Sequence, residues 1–157
     1  MKDNVVLNKD EVKNFSLDEL KQILDYIKTY KYQRCIDYQL YYMLMYFLSE
    51  TGLRISEALA LKWWDIEDNK VNVERQVRPD NSNKVTLTTK KSTSSYRTIG
   101  IIDAVLKELK KFKLKQNEMI LSNKSFNKNS DNIIFQNYLG IYLTPSTVRE
   151  SIVKKLG

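Results

Sequence analysis

Residues 51–61 read Thr-Gly-Leu-Arg-Ile-Ser-Glu-Ala-Leu-Ala-Leu and set Arg54 three positions before Glu57. Gly52 suits the end of a helix, so Arg54 falls at the start of the next one. Glu57 then lies within reach of the same face. On spacing alone this is a surface ion pair, worth ~0.5 kcal/mol or less. A second cationic group, Lys90 and Lys91, stands in the polar link Thr89-Lys90-Lys91-Ser92-Thr93-Ser94-Ser95. Its bland reading is attraction to a phosphate backbone, and that of the Ser/Thr run is turn formation. The absence of histidine narrows the chemistry. It excludes Ser-His-Asp and Cys-His triads, a histidine general base and histidine-ligated zinc. Cys35 is the one cysteine, so an intramolecular disulfide and a multi-cysteine metal site are excluded too. Any catalysis must run on Arg, Lys, Asp/Glu, Tyr, Ser or Cys.

The charge is unevenly placed. Residues 1–70 hold ten basic and twelve acidic side chains, net −2, and residues 71–157 hold sixteen and seven, net +9. A basic half points to a polyanion such as nucleic acid, or to no more than a solvated lysine-rich surface. The lysines at 107, 110, 111, 113 and 115 read as such a surface. The 157 residues are enough for one domain with a single core. The longest apolar stretch, Leu40–Leu48, is about half of what a membrane-spanning helix needs. The first residues, MKDNVVLNKDEVK, show no signal-peptide pattern. With a single cysteine, a reducing cytoplasm is the expected location.

The elements that must position these residues follow from periodicity. Ser16-Leu17-Asp18-Glu19 is a capping box, and Leu20, Ile23, Leu24 and Ile27 follow at helical spacing, which predicts a helix over 17–30. A second, central helix is expected over 36–50 and a short third over 55–62, ending at Trp63-Trp64-Asp65. Of the two tryptophans one is expected in the core and one at its rim. The period then changes to two. Val71, Val73 and Val77, with Arg75 interrupting, give an imperfect strand at 70–77. Val85 and Leu87 give a second and Tyr96 to Ile101 a third, and the last two read as a hairpin with a long tip. Asp103 is expected to cap a helix through about Gln116. Residues 122–132 read as a flexible Asn-rich loop. Thr144-Pro145 opens a last helix with Val148, Ile152 and Leu156 on one face. The expected fold class is α+β, mainly α-helical with a small three-stranded antiparallel sheet.

The segment TGLRISEALALKWWDI closely resembles the first-arginine box of tyrosine recombinases, the phage-integrase family. The resemblance continues in order over roughly residues 14–157. NKVNVERQV is similar to the family's first strand after the box. TLTTKKSTSSYRTIGI resembles its second and third strands, whose hairpin carries an essential lysine. LTPSTVRESIVKKLG resembles the helix before its second-arginine box.

The resemblance implies the catalytic core of a DNA breaking-rejoining enzyme, in which a tyrosine attacks a phosphodiester and leaves a 5′-hydroxyl. Arg54 would stabilise the negative non-bridging oxygens of the transition state, since a guanidinium offers planar, permanently charged donors. Glu57 would brace that side of the site without touching DNA. Counting six residues back from Arg97 gives Lys91 as general acid, with Lys90 as the fallback. Ser92, Thr93, Ser94 and Arg97 would contact the DNA backbone. Double-stranded DNA is the implied partner, with a homo-oligomer on DNA, a tetramer in the family. No membrane partner, metal or cofactor is implied. The family's His-x-x-Arg box and the tyrosine after it find no match, and neither Tyr138 nor Tyr142 is assigned as nucleophile. The family's N-terminal DNA-clamping domain finds none either. The expectation is therefore a partial catalytic domain over 1–157 that does not cut DNA alone, with apolar surface open near Val148, Ile152 and Leu156. The alternatives are a noncatalytic DNA-binding module using the same basic face, and a helical structural protein.

Overall fold

The computed structural model describes residues 15–29, 37–79, 84–89, 96–127 and 131–156, with the backbone alone at 37, 38 and 154–156. Helix α1 (Leu17–Thr29) starts at the expected box. The Glu19 amide donates to Ser16 Oγ at 3.2 Å and the Ser16 amide to the Glu19 carboxylate at 2.8 Å. This exchange satisfies two donors that a helix start leaves open. The amide bond, more than the hydroxyl one, draws the Glu19 carboxyl below its ordinary pKa. Helix α2 (Asp37–Thr51) runs through the interior, burying Leu40, Tyr41, Met43, Leu44 and Phe47. It stops at Gly52, whose φ of +64° is left-handed and whose amide donates to the Leu48 carbonyl at 3.0 Å.

Helix α3 is shorter than the expected 55–62, covering Ile55–Ala58. The reason is backbone pairing. The Leu61 carbonyl accepts from the Ile134 amide at 3.0 Å, the Trp63 amide donates to the Asn132 carbonyl at 2.9 Å, and Lys62 bridges Ile133. These groups are committed to a neighbouring segment and cannot continue a helix. A 3-10 turn at Trp63–Asp65 follows. Neither tryptophan is in the core: Trp64 is exposed, and Trp63, partly buried at the core's rim, packs on Phe112 and donates its indole N–H to Gln116 at 2.8 Å.

Strands β1 (Ile66–Glu67), β2 (Lys70–Val73) and β5 (Arg97–Gly100) form the three-stranded antiparallel sheet, in the order β1-β2-β5. Strands β3 (Arg75–Pro79) and β4 (Val85–Thr89) form a separate antiparallel pair. The expected strand at 70–77 is thus two strands, divided at Glu74. The expected hairpin between 85–88 and 96–101 is not formed. The first of these pairs with β3, where Val77 and Leu87 face each other on the inner side, and the second pairs with β2. The register sets Thr89 opposite Arg75 and Arg97 opposite Val73.

Helix α4 (Asp103–Ser122) outruns the expected end at Gln116. Gln116 is a buried member of the helix: its amide donates to the Ile134 carbonyl at 2.9 Å, so a polar residue in the stripe marks a tie and not a stop. Ile102, not Asp103, occupies the cap position, without a side-chain bond. Of the Asn-rich segment, Phe126 is buried, and the Asn127 amide donates to the Leu139 carbonyl at 2.9 Å. Helix α5 (Pro145–Leu156) starts at Thr144, whose hydroxyl accepts from the Thr147 amide at 3.1 Å. The expected apolar opening does not exist at Val148, which is 1% exposed, and Ile152 is half-buried. Val148 belongs to the buried core cluster and Ile152 packs against it. The side chain of Leu156 lies outside the described residues.

Two glycines carry a testable contrast. A Cβ at Gly52 meets no atom within 4 Å, so Gly52→Ala should cost about 1 kcal/mol through backbone conformation alone. At Gly140, φ +77°, a Cβ would come 2.9 Å from Phe126 Cζ and 3.1 Å from the Asn127 carbonyl oxygen. Gly140→Ala should therefore cost about 2 kcal/mol or more. Urea unfolding of the two variants checks the order, and equal losses would contradict it.

Candidate functional site

Residues 53–61 are inward-facing with one clear exception. Leu53, Glu57, Ala58, Leu59, Ala60 and Leu61 are buried, while the Arg54 side chain is 77% exposed. Gly52 turns the chain out of α2, Leu53 anchors it in the core, and Arg54 is left at the surface at the cap of α3. The local fold thus delivers one guanidinium to solvent.

Glu57 has the opposite environment, at 1% exposure. Its carboxylate accepts from the Arg54 backbone amide at 3.1 Å, which closes the first turn of α3. It also accepts both arms of the Arg97 guanidinium, at 2.8 and 3.2 Å, and lies 3.8 Å from the Arg54 guanidinium. A two-pronged bond of this kind fixes orientation as well as charge. Arg97 comes from β5, forty residues away, and its side chain is 40% exposed. Two guanidinium groups therefore share one buried carboxylate and both reach solvent. The arrangement keeps a net positive charge at the surface, with the Arg97 fork fixed by two hydrogen bonds and Arg54 exposed beside it, and guanidinium donors suit an anionic group such as a phosphate.

Of the expected site residues, the fold brings Arg54, Glu57 and Arg97 together. Lys90, Lys91, Ser92, Thr93 and Ser94 lie outside the described residues, as does Cys35. Tyr142 donates its hydroxyl to Asp131 at 3.0 Å, and burial, then that bond, pushes its pKa up. It keeps its proton and serves as a hydrogen-bond donor.

A second buried pair escaped the sequence reading. Asp65, 5% exposed, accepts from the Lys62 backbone amide at 2.7 Å and from Arg75 at 2.5 Å. Arg75 lies on the inner alternation with Val71, Val73 and Val77. The available signal was that interruption of an apolar alternation by an arginine, together with the repeated spacing of Arg54 to Glu57 and Lys62 to Asp65.

Solved structures with this fold include integrases and recombinases. The Tn1549 transposon integrase in complex with transposon right end DNA matches with a TM-score of 0.72 at 20% identity, over 94% of this chain and 47% of that one. The same integrase with a circular intermediate DNA gives 0.69 at 20%, over 97% and 48%. The XerH site-specific recombinase bound to difH substrate gives 0.55 at 19%, over 91% and 36%. This chain spans about half the length of the integrase structures it matches. Among curated proteins no sequence matches it. The family model of the phage integrases matches residues 13–156, and the chain belongs to that family. Among the described residues no helix is long and apolar enough to cross a membrane.

Proposed function

We propose that this chain is the part of a tyrosine-recombinase catalytic domain that grips duplex DNA and activates a scissile phosphodiester for site-specific recombination. The observation that carries the reading is the buried Glu57 carboxylate holding Arg97 while Arg54 stands exposed beside it. Arg54 donates to the non-bridging phosphate oxygens, where negative charge grows in the transition state. Arg97 contributes a second fixed cation to the backbone. Glu57 holds both in place and stays off the DNA, because its oxygens are turned to the arginines. Lys91, or Lys90 beside it, protonates the leaving 5′-oxygen; an ammonium with a free pKa near 10.4 is charged at neutral pH. The attacking tyrosine and a His-x-x-Arg box come from outside these 157 residues, which hold no histidine. The chain alone therefore binds duplex DNA without cutting it.

The test is duplex binding against salt. The wild-type chain should bind at low ionic strength, and its log affinity should fall with log salt by about 0.9 per neutralised phosphate. Arg54→Ala should lower that slope by about one phosphate while changing unfolding stability by less than about 0.5 kcal/mol. No duplex binding at low salt would remove the reading. A slope unchanged by Arg54→Ala would move the phosphate contact to other residues.

A further inference from the structure

Two carboxylates on one stretch of chain do the same job twice. Glu57 bonds the amide of Arg54, three residues back, and receives Arg97 from β5. Asp65 bonds the amide of Lys62, three residues back, and receives Arg75 from β3. Both carboxylates are buried. The strand register relates the two arginines. Val73, opposite Arg97, and Arg75, opposite Thr89, are separated only by Glu74, where the pairing switches from β5 to β4. Two strand steps cover about 7 Å, so the Asp65–Arg75 bond is made next to the point where β5 enters the sheet at Arg97. Asp65 also precedes β1, the outer neighbour of β2.

From this juxtaposition we propose that Asp65 and Arg75 are positioning residues for the DNA-binding arginines. Their bond pins the switch at Glu74 to the turn after the Arg54 segment, and so sets where Arg97 meets Glu57. The inference rests on the reading that Arg54 and Arg97 face DNA phosphates. A bond made only for stability would be an unusual choice here. A buried ion pair is often no more stabilising than apolar residues of the same volume, and the flanking positions on this alternation are valines.

The experiment is a double-mutant cycle on duplex affinity, at a temperature well below every unfolding midpoint. Asp65→Asn keeps the acceptor for the Lys62 amide and removes the charge that Arg75 meets. It should weaken duplex binding about three- to tenfold, and Arg97→Ala should then cost correspondingly less in the Asp65→Asn background than in the wild type. Arg75→Lys keeps the cation without the planar fork and should lie between Asp65→Asn and wild type; it carries the same cycle where Asp65→Asn does not fold. Glu108→Gln, which breaks the exposed Lys111–Glu108 pair, should leave affinity and cycle unchanged. A role in global stability alone would lower the unfolding midpoint and leave the cycle multiplicative. Independent, multiplicative losses would overturn the inference and spare the function proposed above. Wild-type chain that fails to bind duplex at low salt would overturn both.

Discussion

Glu57→Ala should lower the unfolding free energy by about 3 kcal/mol, the low end of the cost of breaking a buried pair, because Arg97 retains some solvent. For a chain of this size that is a fall in midpoint of about 6–12 °C. Two losses combine. The Arg54 amide loses the carboxylate that closes α3, and the Arg97 fork loses its acceptor on the far side of the site. Glu57→Gln keeps shape and one acceptor oxygen, so its loss should be smaller. Arg54→Ala removes a side chain that is 77% exposed and 3.8 Å from its partner, and should cost less than about 0.5 kcal/mol. The asymmetry is the informative part: the carboxylate holds the fold together, and the arginine beside it is left exposed. Thermal and urea unfolding of the three variants read it directly. A loss below about 1 kcal/mol for Glu57→Ala would mean that the shared carboxylate does not organise this corner.

What the sequence reveals of this site follows the range of each interaction. Arg54 and Glu57 are three residues apart, and helix geometry alone brings them together. The same holds for the Ser16–Glu19 box and the Thr144 cap, whose partners are equally near in sequence. The Glu57–Arg97 bond spans forty residues and depends on strand register, which no local pattern gives. Alternation located the strands near 71–77, 85–87 and 96–101 but not their partners. Val85 and Leu87 match a strand on either side equally well, and the polar, basic link over 89–95 reads as a hairpin tip to the following strand. The real pairing follows burial, with Val77 and Leu87 together on the inner face. Tertiary ties also explain the misplaced ends of α3 and α4. Leu61 and Trp63 give their backbone groups to residues 132–134, and Gln116 is polar yet buried because it bonds Trp63 and Ile134.

Those ties make Phe135→Ala the most damaging substitution expected in the core. Phe135 is fully buried, with its ring 5.7 Å from that of Phe47 on α2 and 6.1 Å from that of Phe112 on α4. Phe112 in turn lies 6.4 Å from Trp63, one residue past the strand-like pairing that ends the Arg54 segment. The aromatic row thus joins the central helix, the long helix and the turn that carries Asp65. Truncation to alanine removes the ring's contacts and leaves a cavity between two rigid helices that cannot close over it. Losses of about 3–5 kcal/mol are usual for such a change, a fall in midpoint of roughly 6–20 °C here. The neighbouring Ile134→Val removes one methylene at an equally buried position and should cost only about 1 kcal/mol. If Phe135→Ala and Ile134→Val gave similar losses in urea unfolding, the row would not be the support on which the Arg54 turn rests. A large gap between them would locate the site's mechanical base in this part of the core, some distance in sequence from Arg54 and Arg97.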